Sequence, residues 1–356
     1  MENTIYRFRL EGAPVTCEPY GCGHINHTFL VVTDTGKRYI LQKLNGAVFP
    51  DPVGLMENVV AVTRYIGQRV DDPREVLHLV PTLEGEPYTA DDEGSIWRLY
   101  DYVEGSICLQ APETPEDFYQ SAVAFGTFQR QLAGFPAETL HETIPNFHNT
   151  PDRYRKFRQA LAADVCGRAR EVGPEVDFVL AREEQAGALH RMRLSGELPT
   201  RVTHNDTKLN NVMLDAETRR PLCVIDLDTV MPGLAAFDFG DSIRFGAATA
   251  PEDEKDLTRM EMDLSAFETY TRGFITACPG LTDRERETLP LGAKIMTLEC
   301  GVRFLTDYLA GDVYFSIHRP EHNLDRARTQ FKLVEDMEKK WDAMSAIVAR
   351  LSKERA

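Results

Sequence analysis

Apolar positions follow two different rhythms along this chain. Over the first hundred residues they alternate or gather in short β-branched runs. Ile5-Tyr6-Arg7-Phe8-Arg9-Leu10 alternates apolar and charged residues, which predicts a half-buried strand. Thr28-Phe29-Leu30-Val31-Val32-Thr33, the turn signal Asp34-Thr35-Gly36-Lys37 and Arg38-Tyr39-Ile40-Leu41-Gln42 predict a hairpin. A helix is expected near Pro52 to Gln68, then a strand from Ile96 to Val103 that ends at Glu104-Gly105. Beyond that point the spacing turns helical. Residues 114–134 and 174–194 carry it, and Ile295, Leu298, Val302, Leu305 and Leu309 step by three and four. So do Leu324, Ala327, Phe331, Val334, Met337, Trp341 and Met344, which predicts one long amphipathic helix. A non-helical stretch rich in Asp, Asn and Gly, about 200–240, interrupts the helical blocks.

The pattern predicts an α+β chain, with a β-rich lobe over residues 1–103 and a larger helical lobe over 104–356. Hydrophobic content of 42% and charged content of 27% suit a globular chain and exclude disorder. Forty Lys and Arg against 56 Asp and Glu leave a net charge of −16. That deficit of cations argues against nucleic acid and against anionic membrane surfaces as partners. Seven scattered cysteines form no C-x-x-C pair and read as neither a disulfide framework nor a zinc site. The N-terminus lacks the apolar core of a signal peptide, and no run approaches the length of a membrane helix. A reduced, cytoplasmic, monomeric protein is expected.

The chemistry concentrates in His204-Asn205-Asp206-Thr207-Lys208-Leu209-Asn210-Asn211 and in Cys223-Val224-Ile225-Asp226-Leu227-Asp228. Short β-runs flank both acids. Phosphoryl transfer needs a carboxylate toward the attacking hydroxyl, an amide and a second carboxylate for the metal, and a cation to offset phosphoryl charge. The protein-kinase loop H-R-D-x-x-x-x-N sets its Asp and Asn at the separation of Asp206 and Asn211, with His204 two residues before the acid. Lys208 lies two residues after it, within reach of a phosphate. Asp238-Phe239-Gly240 spells the kinase D-F-G metal motif. It lies far downstream in what looks like the start of a helix, so Asp226 is the expected metal ligand. Asp238 is expected to cap a helix or brace the catalytic loop. If the strand continues through Asp226, Asp228 shares its face and assists the metal or binds water. His141-Glu142 with His148 is not H-E-x-x-H, and Pro145 interrupts any helix there, so no metal site is read from it.

These motifs resemble the aminoglycoside phosphotransferase/choline kinase-like superfamily and, within it, the narrower N-acetylhexosamine 1-kinase family. The resemblance is carried by Glu18-Pro-Tyr-Gly-Cys-Gly-His-Ile-Asn26, the 204–211 loop, Val224–Gly233, Phe237–Asp241, Glu299–Tyr308 and Gly311–Phe315. It implies a protein-kinase-like bilobal fold, with a small antiparallel β-rich N-lobe and a mostly helical C-lobe. It also implies ATP as co-substrate, Mg²⁺ as metal, and a sugar as acceptor. Asp206 would be the base toward the anomeric hydroxyl of N-acetylglucosamine or N-acetylgalactosamine, with Asn211 and Asp226 holding Mg²⁺. The sugar pocket would map onto His24, Asp206, Arg303 and Tyr314. The segment Trp97–Gly105, with Tyr100 and Tyr102, would be the hinge whose backbone binds adenine. Gly21 and Gly23 would form a phosphate-covering turn.

Several positions carry competing readings. The strand that supplies a kinase lysine reads Tyr39-Ile40-Leu41-Gln42-Lys43, which puts Gln42 at the lysine position and Lys43 on the other face. Either Lys43 bends in or Gln42 substitutes a neutral donor; Glu57, on the following helix, is a candidate ion-pair partner or else a solvated helix charge. Read from residues alone, Trp97 and Tyr100 are core aromatics, and Arg303 is a surface partner of Glu299 four residues before it. Two rival functions follow. One is the same chemistry on choline, homoserine or an aminoglycoside; the other is a nucleotide-binding module without turnover.

Overall fold

The computed structural model describes residues 2–21 and 25–354. The strands are β1 (Pro14–Pro19), β2 (His27–Thr33), β3 (Arg38–Lys43), β4 (Thr89–Ala90), β5 (Ile96–Asp101), β6 (Ser106–Ile107), β7 (Arg201–Thr203), β8 (Val212–Asp215), β9 (Pro221–Val224) and β10 (Met231–Gly233). The first helices are α1 (Glu2–Ile5), α2 (Pro52–Gly67), α3 (Pro115–Gln131), α4 (Thr150–Ala163), α5 (Gly173–Leu180), α6 (Glu183–Ala186) and α7 (Ala188–Leu194). They are followed by α8 (Ala235–Gly246), α9 (Leu264–Ala277), α10 (Asp283–Glu287), α11 (Leu289–Ala310), α12 (His322–Lys339) and α13 (Trp341–Lys353).

Two compact units form. A sheet unit takes Met1–Cys108, Gln131–Pro145 and Asn211–Pro232; a helical unit takes Leu109–Arg130, Asn146–Asn210 and Gly233–Ala356. In the sheet unit, five antiparallel strands run in the order β1-β2-β3-β5-β4. The predicted hairpin is β2–β3, turned at Gly36, whose φ of +81° suits glycine. Alternation along β3 and β5 sorts the faces. Tyr39, Leu41, Trp97 and Leu99 go to the buried cluster with Val31, Ile5 and Phe8. Gln42 pairs in register with Arg98, and Lys43 with Trp97, so Gln42 and Lys43 take opposite faces. Helix α2 starts at Asp51, whose carboxylate accepts the Gly54 amide at 2.9 Å, with Pro52 in the first turn. Its buried Asn58 bonds the carbonyls of His141 and Val230, tying three stretches of the unit together.

The helical unit is centred on α11, a 22-residue helix closed by Gly311 at φ +96°. One apolar cluster joins it to α4, α5 and α12. Helix α8 crosses it closely: a Cβ at Gly240 would lie 2.4 Å from the Gly292 carbonyl oxygen, and one at Gly292 2.3 Å from that of Ala236. The glycine of the D-F-G sequence is therefore a helix-crossing residue.

Two expectations fail locally. Residues 5–10 form no strand. The chain leaves α1 in a turn, with Phe8 making one isolated bridge to Thr82, and Ile5 and Phe8, three apart, enter the core together. The helical spacing over 174–194 is realised as three short helices, with breaks at 181–182 and at Gly187; Arg182 bonds Glu338 and the Phe178 carbonyl. The C-terminal helix breaks at Lys340, whose ammonium reaches the Met262 carbonyl at 2.8 Å and Asp336 at 2.7 Å. Leu324, Ala327, Phe331, Val334 and Met337 before the break and Met344 after it are buried, and Trp341 beside it is half-buried. Among the described residues, no helix is long and apolar enough to cross a membrane.

Candidate active site

In the helical unit, β7 delivers the chain into the 204–211 loop. Asn205 takes a left-handed conformation (φ +65°), uncommon for a residue with a side chain and frequent at functional turns. Buried acids on α8 hold the loop. Asp238 is 0% exposed and accepts the amides of His204 (3.0 Å) and Asn205 (2.8 Å) and the Gln129 side chain (2.7 Å). Burial pushes its carboxyl above the usual range, against the pull of those bonds. Asp241 accepts the Thr207 amide at 3.0 Å and pairs with Arg244 at 3.0 Å. Burial opposes its ionisation, but Arg244, Lys208 and His148 together hold its carboxyl below the usual range. Asp238 thus spends its oxygens on the loop backbone, as the bracing reading expected.

Asp206 is left partly exposed on this braced loop. Its amide lies 3.3 Å from His204 Nδ1, and the His204 ring is buried against Phe125 and Phe128. Lys208 Nζ sits 3.0 Å from Asp206 Oδ1. Burial opposes the charge of Lys208, yet Asp206 and Asp241 raise its pKa. Elsewhere in this unit, Arg303 and Tyr314 come together, the guanidinium 5.9 Å from the Tyr314 ring. The same guanidinium faces Phe147 (5.5 Å) and Phe315 (5.3 Å), and Tyr314 is 63% exposed. Glu299 is not a surface partner of Arg303; it is buried and bonds His148 and Thr150.

In the sheet unit, the β8–β9 hairpin places Asn211 and Asp226 at one end. Val212 faces Val224, and the Ile225 amide donates to the Asn211 carbonyl at 2.9 Å. The strand does not continue through 226–228 as one sequence reading had it. Asp226 is left-handed (φ +58°) and exposed, and 227–229 form a single 3₁₀ turn that buries Asp228. The two acids diverge. Asp228 Oδ1 lies 2.5 Å from Arg98 Nη1, and Oδ2 accepts from Asn26 at 2.6 Å. Arg98 Nε donates to Gln42 at 3.0 Å, and Gln42 donates to Thr28 at 3.1 Å. Burial opposes the charge on Arg98, and Asp228 more than offsets it. Lys43 stays on the far face, with Asp91 at 3.3 Å and the Trp97 ring at 5.6 Å. Glu57 is exposed and bonds His141.

Tyr100 is buried beside Arg98, and among the described residues its hydroxyl has no hydrogen-bond partner. Burial raises its pKa. Tyr102 meets Tyr20, hydroxyl to hydroxyl 3.2 Å, beneath the Arg38 guanidinium. Gly21 has φ +81°, a conformation that favours glycine; Gly23 and His24 lie outside the described residues. Sequence reasoning passed over Arg98, although an arginine inside the apolar run of β5 was a visible signal. It also passed over Asp307, which accepts the amides of Val313, Tyr314 and Phe315 and so shapes the Tyr314 loop.

The sequence pattern of the phosphotransferase enzyme family matches residues 16–270, well over half of the chain. The chain belongs to that family. Solved structures share the phosphotransferase fold at low identity. An aminoglycoside phosphotransferase from Alicyclobacillus acidocaldarius is 13% identical with a TM-score of 0.63, covering 100% of this chain and 96% of its own. A microcompartment-associated aminopropanol kinase is 15% identical with a TM-score of 0.65, covering 96% of each chain. An amicoumacin kinase, solved with AMP-PNP, Ca²⁺ and its antibiotic, is 13% identical with a TM-score of 0.63, covering 94% of this chain and 91% of its own. The phosphotransferase therefore has the protein-kinase-like α+β fold of these enzymes, an antiparallel sheet region followed by a helical region.

Proposed function

We propose that this phosphotransferase moves the γ-phosphoryl group of ATP to the anomeric hydroxyl of an N-acetylhexosamine. The observation that supports it most is the 204–211 loop. Its amides at 204, 205 and 207 are taken by buried carboxylates, while Asp206 stays accessible. A base fixed in this way is what positioning catalysis requires. Asp206 orients the acceptor hydroxyl and takes its proton at a carboxylate oxygen. Lys208 leaves or shares Asp206 to face phosphoryl charge.

Asn211 and Asp226 offer an amide oxygen and an exposed carboxylate, hard donors suited to Mg²⁺. Among the described residues, no three acidic, His or Cys side chains cluster into a ready-made metal site. When bound, Mg²⁺ neutralises charge building on the phosphates. The Tyr100–Tyr102 segment is assigned to the nucleotide base, and Gly21 and Gln42 to the phosphate side. Arg303 and Tyr314, with His24, are assigned to the sugar; the resemblance over 299–315 supports that choice. Pairing buried polar groups with sugar hydroxyls would reject analogues that lack them.

A second reading keeps the chemistry and changes the acceptor to an amino alcohol. The net charge of −16 and the aminopropanol kinase fold favour it. An acceptor panel with ATP consumption as readout tests both. Turnover of N-acetylhexosamines well above amino alcohols supports the first, and the reverse order overturns it.

A further inference from the structure

His148 and Glu299 form a buried pair in the helical unit to which the proposed chemistry gives no part. Glu299 sits in α11 and is 1% exposed. Its Oε1 lies 2.9 Å from His148 Nδ1, and its Oε2 accepts from Thr150 at 2.6 Å. Burial opposes ionisation of Glu299, and His148, Arg153 and Thr150 more than offset it, so its carboxyl is held below the usual range. The other ring nitrogen, Nε2, faces the carbonyl oxygen of Asn205 at 3.4 Å. That carbonyl belongs to the peptide bond leading into Asp206.

Both nitrogens therefore face acceptors, one a carboxylate and one a carbonyl. A neutral imidazole has one donor nitrogen; only the imidazolium donates to both. The ring is flanked by Phe147 (4.6 Å) and Phe237 (5.3 Å). The charged groups around it are Glu299 and Arg303 on α11, Asp241 with Arg244 on α8, and Arg153 on α4. The loop's amides are anchored by Asp238 and Asp241. His148 is the anchor on its carbonyl side. Contacts of this kind are often long in ligand-free sites and tighten in the reacting complex.

We propose that the Glu299–His148 pair is a positioning device. Oriented by Glu299, His148 donates from both ring nitrogens and so fixes the Asn205 carbonyl and with it the peptide plane that carries Asp206. This rests on Asp206 being the base of the reaction. Two measurements test it. The first needs no substrate: ring nitrogen NMR of the full-length protein at pH 7 should show His148 with both nitrogens protonated, and the neutral ring in Glu299→Gln. The second is kinetic, on whichever alcohol the protein phosphorylates. His148→Ala should lower kcat about 10²-fold with KM for ATP unchanged. His148→Gln, which keeps a donor toward the carbonyl, should recover part of the rate. A singly protonated wild-type ring at pH 7, or wild-type kcat in His148→Ala, overturns the proposal. If no alcohol is phosphorylated, the functional reading fails while the ring measurement still decides the protonation.

Discussion

Arg98 Nη1 lies 2.5 Å from Asp228 Oδ1, and both side chains are almost wholly buried. This pair stands on the Gln42 face of the sheet, joined through Gln42 to β2 and bonded by Asn26, which immediately precedes β2. Removing one partner leaves the other charged and desolvated. Asp228→Ala should therefore cost about 3–5 kcal/mol of stability, and Arg98→Met a similar amount. The double variant should cost less than the sum of the two. Denaturant unfolding of the three variants measures this, and additive losses would show that the pair carries no coupling.

Asp226 and Asp238 should separate cleanly as variants. Asp226→Ala is expected to lose the Mg²⁺-dependent part of nucleotide affinity. Asp238→Asn keeps that affinity and loses turnover, because it releases the 204–205 amides. Calorimetric titration with ATP, with and without Mg²⁺, distinguishes them. Wild-type Mg·ATP affinity in Asp226→Ala would refute the metal assignment.

Gly240→Ala tests the helix crossing. The added Cβ meets a backbone oxygen, which cannot swing aside as a side chain tip could. A loss of about 1–3 kcal/mol is expected on urea unfolding, by the usual cost of overpacking. An unchanged midpoint would mean that α8 and α11 separate without penalty.

Asp91 gives a pH dependence. The Trp97 indole bond, with the Ser95 amide and Lys43, outweighs burial and lowers its pKa from 3.8 to about 2. A depressed carboxyl stabilises the fold above its unfolded pKa, and that contribution is lost as pH falls through the folded value. Asp91→Asn should thus be less stable than wild type at pH 7, with the gap closing between about pH 4 and pH 2. Unfolding followed by tryptophan fluorescence checks it; a gap independent of pH would exclude the carboxylate as its source.

Much of the site was legible because its signals are local. The spacing from His204 to Asn211 and the hairpin at Gly36 depend on neighbours in the chain. The Gln42/Lys43 register was legible too, since strand alternation is a period of two. What escaped reading depends on partners far away in sequence. Asp228 was expected to share a face with Asp226, but the left-handed Asp226 ends the extended run, and Arg98 claims Asp228. Glu299 looked like a surface partner of Arg303 until its burial against His148 was seen. The break at Lys340 follows from the Met262 carbonyl, a contact that no helical periodicity announces.

The central claim is phosphorylation of an anomeric hydroxyl with Asp206 as base. The most direct test is the phosphorus spectrum of the product formed from ATP, Mg²⁺ and N-acetylglucosamine or N-acetylgalactosamine, run beside Asp206→Asn. The account predicts a sugar phosphate coupled to the anomeric proton, with turnover reduced at least about 10²-fold in the variant. No phosphorylated sugar while an amino alcohol is consumed, or full turnover in Asp206→Asn, would contradict it.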